Sequence, residues 1–315
     1  MKLEISYSLL FSLFAIENIE SHGDSNGNGF SFLGDEHWEE VHRNLCDNPY
    51  SQTLYQRPDL ACYQNSLYYN QVKMEVLSWH PFLIVLRDFV SQVQINRFLD
   101  DIFVKRLEEQ KVVDENDASE QYHLSRRANG TWFEHRETLG TSQMYEYTTD
   151  MLPYINFEVS ELWQNLFKLS WVSKICIFYV LSYRSGGHYA PHYDYLEYHS
   201  KDHWDWWMTS YGNRFATFLL ILKTADEGGG TVFPRLNVTI VPNPGDAILW
   251  ANMNLEGGKE EDALHGACPI KKGEKIAATL WIRQHDQLFD YYCAGFPPKN
   301  FADRIIDPLY FMTQS

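Results

Sequence analysis

Basic residues are scarce in this chain: 26 Lys and Arg stand against 42 Asp and Glu, a formal net charge of -16 over 315 residues. No run of basic residues stands out. A nucleic-acid backbone is met by clustered cations, so this charge balance argues against a DNA or RNA partner. Long apolar runs are missing too. The stretch Leu9-Leu10-Phe11-Ser12-Leu13-Phe14-Ala15-Ile16 is far shorter than the roughly 20 residues a membrane-spanning helix needs, so no membrane span is expected. Its length behind Lys2 suits the apolar core of a signal peptide, and residues 1–22 are read as one. A disordered or interfacial N-terminus is the competing reading, because Glu4 dilutes the basic start and no small-x-small cleavage site follows. No internal repeat is visible.

Cysteine is limited to five residues. Cys176 lies in the apolar run Ile175-Cys176-Ile177-Phe178 and reads as a buried free thiol. The others fall into two pairs close in sequence, Cys46 with Cys62 and Cys268 with Cys293. Bridges of that kind require an oxidising compartment; four reduced thiols in the cytosol are the alternative. Asn129-Gly130-Thr131 and Asn237-Val238-Thr239 make Asn129 and Asn237 candidate glycosylation sites, as a secreted chain would use.

What the chain does have is ample core material, 44% hydrophobic and 16% aromatic, enough for one large domain with an extension. The expected organisation is a signal peptide over 1–22, a Ser/Gly/Asn/Asp linker over 23–36, a cysteine-bearing segment over 37–70, a main domain over 71–293 and a tail over 294–315. The apolar runs between 72 and 89 predict a pair of strands. Ser91 reads as a helix N-cap, and Ile95, Phe98, Leu99, Ile102, Phe103 and Leu107 recur at helical spacing through 93–113. Further helices are expected over 139–152 and 157–169. From Trp171 the pattern changes to short strands, over 174–183, 189–195, 214–222, 238–241, 247–250 and 276–282, parted by Gly, Pro and Asn. The fold class is therefore α+β, a jelly roll or double-stranded β-helix with helices packed on one side.

The chemistry concentrates in that β half. In a strand, residues two apart share a face, so His192 and Asp194 in His192-Tyr193-Asp194 would enter one cavity together. His265, after the polar loop Glu256-Gly257-Gly258-Lys259-Glu260-Glu261-Asp262, is the best third ligand. Two imidazoles and a carboxylate make the facial triad of non-haem Fe(II) oxygenases. Lys275, the one lysine of its group that begins an apolar strand, would offer a cation to a bound acid. His188, His199, His203 and His285 read as surface or pocket-rim groups. Trp204, Trp206, Trp207 and Tyr211 read as core, a lid, or a groove for a proline-rich chain.

These residues carry a family resemblance. Tyr183-Arg184-Ser185-Gly186-Gly187-His188-Tyr189-Ala190-Pro191-His192-Tyr193-Asp194 resembles the iron-binding strand of the collagen prolyl 4-hydroxylase alpha subunit. Asn213-Arg214-Phe215-Ala216-Thr217, Gly229-Gly230-Thr231-Val232-Phe233-Pro234, His265-Gly266-Ala267-Cys268-Pro269 and Gly273-Glu274-Lys275 follow in the family's order. Weaker similarity reaches back to Leu45-Cys46. The resemblance implies Fe(II) on His192, Asp194 and His265, and 2-oxoglutarate held by Lys275. It also implies O2 as cosubstrate and L-ascorbate to keep the iron reduced. Tyr183 and Thr217 lie where hydroxyls would assist the Lys275 anchor, and Trp281 where it would wall the pocket. The resemblance further implies disulfides Cys46–Cys62 and Cys268–Cys293, and hydroxylation of proline in collagen-like or other proline-rich chains. The endoplasmic reticulum lumen or secretion, and protein disulfide isomerase as partner, follow by the same likeness. The alpha subunit's dimerisation and peptide-binding region has no counterpart between Met1 and Cys46, so a short form is expected. Three rivals stand beside this reading: hydroxylation of another peptidyl residue, a non-catalytic subunit that binds proline-rich chains, and zinc hydrolysis. Lysyl hydroxylases resemble this fold but use arginine as the anchor, which favours the prolyl branch, and zinc hydrolysis gives Lys275 no role.

Overall fold

The computed structural model describes residues 30–49, 62–67, 70–113, 120–134, 137–151, 177–254 and 256–285. The signal peptide expected over 1–22, the helix expected over 157–169, Cys176, Cys293 and the tail expected over 294–315 lie outside them. The described residues from Phe32 to His285 belong to one compact unit.

In chain order the fold runs α1 (Glu40–Asp47), β1 (Cys62–Leu67), β2 (Asn70–Trp79), β3 (Phe82–Arg87) and α2 (Gln92–Val104). Short strands β4 (Glu108–Glu109), β5 (Val112–Val113), β6 (Glu120–Gln121) and β7 (Arg126–Arg127) precede β8 (Asn129–Glu134) and α3 (Leu139–Met151). Then come β9 (Ile177–Arg184), β10 (His188–His192), α4 (Trp206–Tyr211), β11 (Arg214–Lys223), β12 (Glu227–Gly228) and β13 (Thr231–Phe233). Last are β14 (Val238–Ile240), β15 (Ala247–Ala251), β16 (His265–Ala267), β17 (Ile270–Lys272) and β18 (Glu274–Arg283). A nine-stranded sheet has the order β1-β2-β3-β15-β11-β18-β9-β8-β4, and a five-stranded sheet the order β14-β13-β16-β10-β7. All their pairings are antiparallel. The mixed α+β architecture with large antiparallel sheets is the expected one.

Alternation along the large sheet divides its two faces. Met74, Ile84, Leu86, Phe178, Val180, Phe218, Leu220, Ile276, Ala278 and Leu280 turn to one face, where Ile95, Phe98 and Ile102 of α2 and Met144 of α3 cover them. The opposite face carries Tyr179, Tyr183, Thr217, Lys275, Thr279, Trp281 and Trp250, which line a cavity instead. One side of the sheet thus holds the structure together, and the other is free for chemistry.

Helix α2 begins as the sequence predicts. Ser91 accepts from the Gln94 amide, and the Gln94 side chain accepts from the Ser91 amide, closing a capping box. It ends earlier than the apolar spacing suggests, at Val104 rather than 113. Lys105 takes an extended conformation, and Glu108–Glu109 leave the helix to pair with β8. Tertiary strand pairing overrides a helical spacing that Leu107 continues by coincidence.

The disulfide pairing is corrected by the structure. Cys46 bonds Cys268, across 222 residues, and neither sequence-local bridge is formed; Cys62 is free and exposed. Packing explains the choice: Trp38, Leu45 and Cys46 lie with Ala190, Val232 and Cys268 in one apolar cluster, and the Thr239 hydroxyl donates to the Leu45 carbonyl. The bridge fastens α1 behind the strands that carry His192 and His265. Peptide mapping without reduction is expected to return a Cys46–Cys268 linked pair, and Cys46→Ser to destabilise the fold by about 2–5 kcal/mol in thermal or denaturant unfolding. A Cys46–Cys62 linked peptide would overturn the assignment.

His188 also departs from its expected place. It is fully buried, with both ring nitrogens 3.0–3.1 Å from the carbonyls of Leu124 and Gly186, and its ring packs on Phe32 and Trp38. Gly34, with a positive φ of 97°, lies against it; a Cβ there would run into the His188 ring and the Leu124 carbonyl. The histidine holds the N-terminal segment and is no part of the metal cluster.

Candidate active site

Strands of both sheets bring the three ligand candidates together. His192 is the last residue of β10, and Asp194 lies in the bend just beyond it rather than in the strand. The pairing of β10 with β16 shifts register between Tyr189 and His192 and resumes at His192. His265 opens β16 and stands opposite His192. The His192, Asp194 and His265 ligand atoms all lie within 4.8 Å of one another. Asp194 and His265 are buried, and the His192 side chain is 22% exposed on the cavity side.

Hydrogen bonds decide which atoms face the cluster. His192 Nδ1 lies 2.9 Å from the Ala190 carbonyl, and His265 Nδ1 2.9 Å from the Ala263 carbonyl. Each ring donates through Nδ1, which leaves both Nε2 lone pairs for a ligand. Those Nε2 atoms stand 3.9 and 3.6 Å from the Asp194 carboxylate. The Thr217 hydroxyl donates to Asp194 Oδ2 at 2.6 Å and accepts from Asn252 Nδ2 at 2.8 Å. Burial alone would raise Asp194, but His265, Arg214, His192 and the Thr217 bond hold it well below the usual carboxylate range. Burial, then His265, pushes His192 far below its usual value. A neutral His192 and an ionised Asp194 are the protonation states a divalent metal requires.

Lys275 lies deeper on the same face of the large sheet. It is opposite Tyr183 in register, 3% exposed, and its ammonium donates to Thr231 Oγ1 at 3.2 Å. Among the described residues no carboxylate stands within ion-pair reach of it. Burial pulls its pKa down to about 8. Gly229, at φ 75°, keeps this corner open, since a Cβ there would strike Ile270 Cδ1 at 2.7 Å and come within 3.7 Å of Lys275 Cδ.

The triad and Lys275 line one cavity of about 410 Å³. Tyr179, Tyr183, Tyr189 and Trp281 wall it, with burial raising the Tyr183 phenol well above its usual value. The Arg214 guanidinium lies 3.6 Å over the Trp281 ring, and Arg126 lies 4.6 Å over Tyr189. Among the described residues, Arg126 Nε, Arg214 Nε and Trp281 Nε1 are buried without a hydrogen-bond partner, as suits a cavity built for a polar guest.

Residues 178–283 match the 2OG-Fe(II) oxygenase superfamily. Prolyl 4-hydroxylase 1 of Arabidopsis thaliana is 31% identical over 227 residues, covering 68% of this chain and 72% of that protein. The chain belongs to the prolyl 4-hydroxylase family of Fe(II)/2-oxoglutarate oxygenases. The Homo sapiens prolyl 4-hydroxylase subunit alpha-3 is 27% identical over 265 residues, 82% of this chain and 45% of that subunit. The chain therefore spans about half the length of the alpha-3 subunits it matches. A crystal structure of a viral collagen prolyl hydroxylase from Paramecium bursaria Chlorella virus-1 aligns at 22% identity and a TM-score of 0.44, covering 64% of this chain and 95% of that one.

The residues of this chain fit the groups its family uses. Two imidazoles with free Nε2 atoms and one carboxylate are a donor set that would hold Fe(II) and leave room on it for a cosubstrate. Lys275 is a buried cation with no anion beside it among the described residues. His192, Asp194 and His265 form the facial triad.

Two assignments from sequence look different in space. The Thr217 hydroxyl bonds Asp194, whereas Thr231, whose motif was visible but whose role was not, touches Lys275. Thr217→Val is expected to weaken Fe(II) binding by about 10–100-fold, the usual effect of losing a bond to a metal ligand. The KM for 2-oxoglutarate should stay close to wild type; a rise in that KM with unchanged iron affinity would place Thr217 at the anchor instead. Arg126 and Arg214 were missed as site residues because neither sits in a metal-ligand spacing. The tryptophan cluster of α4 packs upon itself, Trp206 against Trp207 at 5.1 Å and Trp206 against Tyr211 at 5.4 Å, and does not line the cavity.

Proposed function

We propose that this oxygenase hydroxylates peptidyl proline at carbon four in collagen-like or other proline-rich chains. Oxidation of the C–H bond would be coupled to conversion of 2-oxoglutarate and O2 into succinate and CO2. The observation that carries the reading is one cavity containing both a facial triad and a buried unpaired lysine, within a chain of the prolyl 4-hydroxylase family. Bound iron would supply the activation of O2, with 2-oxoglutarate as two-electron donor. His192, Asp194 and His265 would hold the metal, and Lys275, assisted by Thr231 and Tyr183, would take the distal carboxylate of the oxo acid. A buried ammonium is a strong anchor there because little water competes for it. Trp281 and Tyr189 would bound the space left for a proline ring.

The Cys46–Cys268 bond supports an oxidising compartment, and we place the enzyme in the endoplasmic reticulum lumen or outside the cell. Asn129 is exposed on β8, and Asn237 sits in a left-handed turn at φ 52°, so both are offered as glycan sites. L-ascorbate as reductant and protein disulfide isomerase as partner belong to the same proposal.

The test is to incubate the protein with Fe(II), 2-oxoglutarate, ascorbate and a Pro-Pro-Gly peptide. Succinate together with a gain of one oxygen on a proline residue is expected. Succinate without hydroxyproline in any proline-rich peptide would overturn the substrate reading.

A further inference from the structure

The cavity floor does not stop at the cavity. Trp132 on β8 stands opposite Tyr179 on β9, which stands opposite Thr279 on β18, which stands opposite Leu219 on β11. The last three line the cavity, and the register puts the Trp132 side chain on the same face of the sheet. Its indole stacks on Tyr179, with centroids 4.4 Å apart and planes 28° apart, and lies 5.8 Å from Trp281. Tyr179 in turn stacks on Trp281 at 5.7 Å and 29°. Trp132 is nevertheless 47% exposed. The strand beneath it is pinned, because the Lys105 ammonium donates to the Trp132 carbonyl at 2.6 Å and pairs with Glu137 at 2.7 Å. A large aromatic face, held rigid and open to water, thus continues the aromatic floor of the cavity toward the edge of the sheet.

We propose that Trp132 is an outer substrate-binding residue, on which a proline distant from the reacting one stacks. This rests on the proline-hydroxylation reading and narrows the substrate to an extended polyproline II chain of several residues. Proline rings on that rigid helix dock on aromatic faces with little entropy to lose. The reach follows from the sheet. Three strand spacings of about 4.8 Å separate β8 from β11, whose Thr217 touches Asp194, a span of about 14 Å. A polyproline II chain rises about 3.1 Å per residue, so the outer proline lies about four to five residues from the target.

Peptide length tests this. Wild type and Trp132→Ala are compared on a three-residue and a fifteen-residue Pro-Pro-Gly peptide, measuring KM for peptide, kcat, and KM for 2-oxoglutarate. On the long peptide, Trp132→Ala is expected to raise peptide KM about 3- to 10-fold, the contribution of one aromatic contact. On the short peptide, which cannot span the distance, the two proteins should agree, and KM for 2-oxoglutarate should not move on either. Trp132→Phe, which keeps a ring, should fall between. An equal loss on both peptides would mean that Trp132 only supports Tyr179, and no loss on the long one would remove it from binding; either result overturns the inference alone. Failure of wild type to hydroxylate both peptides would overturn the proline reading and this inference with it.

Discussion

Replacing His265 with alanine is expected to abolish 2-oxoglutarate turnover and to weaken Fe(II) binding by well over about 100-fold. The bound follows from comparison, since losing a group that merely orients a ligand already costs about 10–100-fold. His265 is a ligand candidate itself. Its Nδ1 is committed to the Ala263 carbonyl, its ring packs on Trp250 at 4.7 Å, and its Nε2 has no other task than to face Asp194. The substitution also removes the nearest imidazole from a buried carboxylate that His265 helps to keep ionised. The Asp194 pKa should therefore rise, and residual metal binding should move to higher pH, because a protonated carboxyl is a poor ligand. Titration with Co(II), followed by its visible absorption, reads the affinity without requiring turnover. Near-native Co(II) affinity in His265→Ala would remove His265 from the metal site.

The sequence made the ligands legible because each sits in a short segment whose position in the fold is set by local pattern. Strand alternation around Lys275, with Ile276, Ala278, Leu280 and Ile282 on the packed face, is enough to send Lys275 to the other side. Ser91 and Gln94 declare the start of α2. What stayed hidden depends on long-range packing. Asp194 lies in a bend beyond the end of β10 at His192, and the register of β10 with β16 shifts between Tyr189 and His192, neither of which spacing can show. Cys46 finds Cys268 through a shared apolar cluster, although Cys62 is far nearer along the chain. Thr217 and Thr231 are both threonines on cavity-facing strands, and only their distances say which one touches Asp194 and which touches Lys275. Trp132 gave no signal at all, since a lone tryptophan in a strand is ordinarily core.

Lys275→Met should produce opposite effects on binding and on stability. Removing one member of a buried charge pair costs about 2–5 kcal/mol of affinity, so KM for 2-oxoglutarate should rise by about 30- to 5,000-fold while Fe(II) binding persists. Stability should move the other way. Lys275 is held 3% exposed with a single hydroxyl for company, and burial lowers its pKa from 10.5 to about 8. Between those two values the unfolded chain carries a proton that the folded chain lacks, so this group's contribution to stability rises with pH across that window. Below about pH 8 the folded protein bears the whole cost of a buried ammonium, up to about 3 kcal/mol. Methionine fills similar volume without charge, and the variant's Tm at pH 7 should increase by several degrees. The same proton governs binding. The oxo acid's carboxylate prefers the ammonium, so wild-type affinity for 2-oxoglutarate should be highest below about pH 8 and decline as pH rises through it. In Lys275→Met that decline should vanish. An unchanged KM, or a pH dependence that survives the substitution, would show that the anchor lies elsewhere. The cation would then be sought in Arg126 or Arg214, two half-buried cations of the cavity. A cost in folding that is recovered only when the dicarboxylate arrives is what a binding site with an unpaired buried charge should show.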